Sequence, residues 1–77
     1  MNKQRRKWLE DIIGKLEEQK DELYNLLQEE QEAYDNMPEN LQESERGQAA
    51  YEYVSDLEDE YNSLEDVIQN LQEILDR

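Results

Sequence analysis

Apolar residues in the first half of the chain fall at Leu9, Ile12, Ile13, Leu16, Leu23, Leu26, Leu27, Ala33, Tyr34 and Met37. Steps of three and four are the period of an α-helix, not the alternation of a strand. The pattern predicts one long helix over about residues 2–36, opened by Asn2 as N-cap, with Gly14 a tolerated interruption costing about 1 kcal/mol. Pro38 ends it, because proline has no amide to donate and biases Met37 away from helical geometry. After a turn over about residues 37–43, Ser44 is placed to cap the amide of Arg46 or Gly47 and to open a second helix over about 44–76. The apolar face of that helix runs through Ala50, Tyr53, Val54, Leu57, Tyr61, Leu64, Val67, Ile68, Leu71, Ile74 and Leu75.

Both stretches follow a heptad whose position a is Leu9, Leu16, Leu23, Glu30 and Met37 in the first and Ala50, Leu57, Leu64 and Leu71 in the second. Each helix is about 50 Å long, and a link of about six residues makes them antiparallel neighbours. The expected fold is all-α: an antiparallel two-helix coiled-coil hairpin, dimerising into a four-helix bundle. A single register pairs Leu9 with Leu71, Leu16 with Leu64 and Leu23 with Leu57. It places Lys20 and Gln19 opposite Glu60 as a polar layer, and sets Gly47 beside Tyr34, where a missing side chain would admit the ring. Pro38 to Leu41 suit a single helical turn that lays Met37 and Leu41 on the end of the hairpin, with Arg46 near Asp35 or Glu43.

Positions a and d suffice to close a hairpin, yet position e is also apolar. Ile13, Leu27, Tyr34, Val54, Ile68 and Leu75 are therefore expected to line an open groove along one side. Two occupants suit such a groove: a second hairpin, giving a homodimeric four-helix bundle, or a helix of another protein.

Charge adds a second surface. With 22 Asp and Glu against 8 Lys and Arg, the 77-residue chain carries a formal charge of −14, which repels a phosphate backbone and excludes direct nucleic-acid binding. Acids fill neighbouring b and c positions, with Glu17, Glu18, Glu58, Asp59, Glu65 and Asp66 as the core of the field. Soluble hairpins ordinarily interleave Glu with Lys, so a field of one sign suggests steering toward a basic partner. The basic residues Arg5, Arg6 and Lys7 lie where the hairpin brings them to Glu73, Asp76 and the negative end of the second helix. Trp8 and Leu9 are expected to close that end, Trp8 doubling as a contact residue if exposed.

Catalysis finds little support. The chain has no Cys and no His, which removes imidazole bases, thiol nucleophiles, zinc sites and the Glu-x-x-His pairs of dinuclear helix bundles. Asp56, Glu58 and Glu60 mimic the start of a calcium loop, but Tyr61 stands where that loop needs glycine. The expectation is a non-enzyme with no catalytic residue, metal or cofactor. No apolar run exceeds three residues, so no membrane span is expected, and Trp8-Leu9-Glu10-Asp11 after the basic residues does not resemble the apolar core of a signal peptide. A cytoplasmic location follows as the default.

The stretch Asp35-Asn-Met-Pro-Glu-Asn-Leu-Gln42, followed by Ser44-Glu-Arg-Gly47 and flanked by two Glu-rich helices, resembles small acidic proteins of bacteriophages and prophages of Gram-positive bacteria. The resemblance spans nearly the whole chain and implies action inside a bacterial host cell, with no functional residues to carry over. At class level, small acidic phage proteins resemble anti-CRISPR and other DNA-mimic inhibitors. Two functions follow as expectations. One is a phage-type protein that occupies a host nucleic-acid-binding or defence protein through its acidic face; the other is a structural or adaptor hairpin acting through its apolar groove.

Overall fold

The computed structural model describes all of residues 1–77 and contains helices α1 (Lys3–Asp35), α2 (Glu39–Gln42) and α3 (Glu45–Leu75), with no strand. α1 and α3 pack against each other along their length as a hairpin whose Cα extents are 58 × 15 × 13 Å.

Local chemistry sets each boundary. The Asn2 side chain accepts a 2.8 Å hydrogen bond from the Arg5 amide and satisfies one of the free donors at the start of α1. Pro38 terminates that helix and opens α2, its carbonyl accepting from the Leu41 amide at 2.8 Å. The Ser44 hydroxyl donates to the Leu41 carbonyl and accepts from the Gly47 amide at 3.3 Å, ending α2 and capping α3 together. The Gln42 amide crosses the turn to the Tyr34 carbonyl, 3.0 Å away, and covers the end of α1. Met37 is half-buried at this end, whereas Leu41 remains exposed.

Gly47 is buried here for a reason other than the one its spacing suggests. A Cβ on Gly47 would run into the carbonyl oxygens of Leu41 and Gln42, so the missing side chain makes room for the α2 backbone and not for the Tyr34 ring. Arg46 makes no ion pair with Asp35 or Glu43; the one salt bridge of the chain joins Lys20 to Glu65.

The seam differs from the expected one. Ile13, Leu27, Val54, Ile68 and Leu75 are the buried apolar residues, at 5–9 % exposure, and every one of them is an e position. Half-buried a positions, among them Leu9, Leu16, Leu23, Leu57, Leu64 and Leu71, alternate with them. The hairpin thus closes on a and e, and the groove assigned to the e residues does not exist. Burial cost explains the choice. A seam on a and d would bury Gln19, Glu60 and the Tyr53 ring, while a seam on a and e takes in Lys20, Tyr34 and Tyr61 instead, whose polar tips can run out to water; Glu30, at an a position, is common to both.

Lys20 follows that logic. Its side chain is 22 % exposed, its ammonium reaches Glu65 at 3.5 Å and lies 5.4 Å from the centre of the Tyr61 ring. The polar layer therefore forms at the expected height but with Tyr61 and Glu65 as partners; Glu60 and Gln19 are exposed on a different side. A constant antiparallel register ties the helices together, since Tyr24 meets Tyr61 and Tyr34 meets Tyr51, ten residues further along α1 and ten back along α3.

Candidate functional site

A seam on a and e leaves two columns beside it, d on one flank and b on the other, and in an antiparallel pair each column of α1 faces its counterpart on α3. The two flanks have opposite chemistry.

On the d flank lie Ile12, Leu26, Tyr53, Val67 and Ile74, all 38–65 % exposed. Leu26 and Tyr53 line one shallow hollow with Glu30 and Leu57, and Ile12 lines another with Met1, Arg5, Trp8 and Leu9. Gln19 and Glu60 interrupt this strip near its middle. The apolar surface that the width of the stripe requires is thus present, but on residues that the a/d reading had placed inside. The sequence carried a signal for it in the two polar d residues, Gln19 and Glu60, which are costly to bury.

Across the seam, the b flank carries Glu10, Glu17, Glu58 and Glu65, and its only aromatic residues are Tyr24 and Tyr51. Each of these tyrosines roofs the seam by tilting against a seam tyrosine, with ring centroids 5.8 Å apart for Tyr24 and Tyr61 and 5.7 Å for Tyr34 and Tyr51. Tyr34 is therefore a half-buried aromatic partner and not a groove residue. The neighbouring c positions point away from the seam and hold Glu18, Asp59 and Asp66. All six carboxylates of the expected acidic face are exposed, and one of them, Glu65, is in part neutralised by Lys20. Glu17, Glu58 and Glu65 give the b flank, opposite the apolar one, its negative charge, and Glu18, Asp59 and Asp66 extend that charge onto the outer faces of the two helices.

At the terminal end, Arg6 donates to the Leu75 and Arg77 carbonyls, which gives the last turn of α3 a cation where its dipole is negative. The expected partners Glu73 and Asp76 make no salt bridge, because the guanidinium is held by main-chain oxygens. Leu9 packs on the aliphatic cluster at that end, whereas Trp8 is 66 % exposed. The calcium-like run from Asp56 to Glu60 lies inside α3, where successive carboxylates point in different directions around the helix. No helix is long and apolar enough to cross a membrane.

Comparison with protein-family models, with curated proteins and with solved structures finds no match to this chain.

Proposed function

We propose that the protein is a non-enzymatic interaction module that docks its acidic flank on a basic protein surface, of the kind that otherwise holds a nucleic acid. The observation that carries this reading is the run of exposed carboxylates on the b flank and the outer faces beside it: Glu17, Glu18, Glu58, Asp59, Glu65 and Asp66 are all exposed, and of these only Glu65 is engaged in a salt bridge. Carboxylates one heptad apart stand about 10 Å apart along the rod, and acids on the facing helix fill the gaps. A basic channel built for a phosphate backbone attracts such a rod over long range. The resemblance to small acidic phage proteins makes a nucleic-acid-binding or defence protein of a bacterial host the corresponding partner.

The test is capture of nucleic-acid-binding proteins from bacterial lysate on the immobilised hairpin. Capture is expected to fall steeply between about 50 and 300 mM salt, to be displaced by duplex DNA, and to vanish when Glu17, Glu18, Glu58 and Asp59 are all changed to Lys. Equal capture by the charge-reversed variant contradicts the reading. The exposed d flank favours a second reading, a structural hairpin that acts by self-association. Because the two readings use opposite flanks, both can hold for one molecule.

A further inference from the structure

We infer that the d flank is the contact face of a two-fold homodimer, in which two hairpins lay these strips together and direct both acidic flanks outward. This gives the second reading a definite surface, and it is independent of what the acidic flank binds.

Three observations select a second copy as the occupant. The first is charge. Two chains of formal charge −14 repel across most orientations, but the d column and the hollow it lines hold two carboxylates, Glu60 and Glu30, balanced by two guanidinium groups, Arg5 and Arg46. It is the side on which a close approach of two copies costs least.

The second is the order of residues along the strip. The register of the hairpin places Gln19 and Glu60 near its middle, Ile12, Val67 and Ile74 toward the termini, and Leu26 and Tyr53 toward the turn. Full overlap of two copies lays middle on middle whichever end leads, so apolar patches meet apolar patches and the polar centres meet each other. A Gln19 amide then has a carboxylate within its own layer to donate to. A uniformly apolar foreign helix would leave Gln19 and Glu60 facing hydrocarbon, a loss that self-pairing avoids.

The third is area. The Cα outline of the flank, 58 × 15 Å, has a projected area of about 870 Å², enough room for the roughly 800 Å² of accessible surface that each partner buries in a stable specific interface. The hairpin also needs such cover, since five apolar side chains are buried and none is fully shielded from water.

Sedimentation equilibrium of the full chain over a wide concentration range tests this. A reversible species of twice the 9.3 kDa chain mass is expected, with no larger assembly. Leu26→Glu combined with Val67→Glu should give a monomer that keeps its helical circular dichroism, because both positions are exposed in the hairpin. Glu58→Gln, on the other flank, should leave the dimer intact. Gln19→Leu combined with Glu60→Leu should tighten it by about tenfold or more, through added apolar area. A wild-type chain that stays monomeric at about 0.5 mM, or a Leu26→Glu, Val67→Glu variant that dimerises as the wild type does, overturns the proposal. Monomeric behaviour would hand the flank to a foreign helix or to solvent, without bearing on the salt-dependent capture assigned to the acidic face.

Discussion

The terminal half and the turn half of the hairpin use the same 3-4 spacing but are held together differently. Near the termini, Ile13, Ile68 and Leu75 form one aliphatic cluster with Leu9, Leu16, Leu64 and Leu71 packed around it. Toward the turn, Leu27 and Val54 are buried outside that cluster, and the half-buried a positions include Glu30 and Ala50. What this half has instead is connectivity: the Ser44 cap, the Gln42 to Tyr34 hydrogen bond and the close approach of α2 to Gly47. The difference follows from chain entropy. Residues next to a short link are already confined, so little packing keeps them together, whereas the free ends must be held mainly by burial, with the Arg6 hydrogen bonds to the Leu75 and Arg77 carbonyls as the polar contact between them. Lys20, over Tyr61, stands between the two regimes.

Truncation in the seam should show the asymmetry most strongly. Ile68→Ala is expected to lower stability by about 3 kcal/mol and Leu27→Ala by about 2 kcal/mol, read from urea unfolding at one fixed protein concentration. The reverse order would break the comparison. Gly47→Ala should cost about 2 kcal/mol, because the new methyl meets the α2 backbone and not a flexible side chain. Hydrogen exchange should show that loss as faster opening of residues 38–48, with the terminal half still protected. The other glycine should respond with the opposite sign. Nothing lies within 4 Å of a Cβ built on Gly14, so Gly14→Ala should raise stability by about 1 kcal/mol through helix propensity alone. Smallest of the set is Arg6→Ala, expected to cost about 0.5–1 kcal/mol and to fray the last turn of α3, seen as faster exchange of its final amides.

Much of this architecture was legible from local chemistry. Asn2, Pro38 and Ser44 act through their own side chains on amides and carbonyls a few residues away, so the ends of α1 and α3 follow from sequence to within a residue or two. The single turn between Pro38 and Ser44 is legible for the same reason. The acidic face is legible too, because residues seven apart share one side of a helix wherever its partner lies.

The seam is a different kind of problem. Position a alternates with d by steps of three and four, and it alternates with e in the same way, so the period that finds the helices does not choose between the two seams. The choice rests on which polar groups can reach water from the interface: Lys20 and Tyr61 can do so, while Gln19 and Glu60 would be shut in. Weighing those four residues selects the a/e seam and moves the exposed apolar surface to Ile12, Leu26, Tyr53, Val67 and Ile74. The role of Gly47 depends on the path of α2, a tertiary fact that spacing along α1 and α3 does not contain.

Two adjacent residues on α3 separate the seams most directly. Val67 is 47 % exposed on the d flank, and Ile68 is 9 % exposed inside the seam. The chain contains no cysteine, so Val67→Cys and Ile68→Cys each introduce a single thiol, and its rate of reaction with a soluble disulfide reagent reports its access to water. In dilute protein the thiol at position 67 should react at least about tenfold faster than the thiol at 68, and it should slow as concentration rises while the one at 68 stays slow throughout. Equal rates at the lowest concentration, or a faster reaction at 68, would contradict the a/e seam and with it the division of the hairpin into an apolar and an acidic flank.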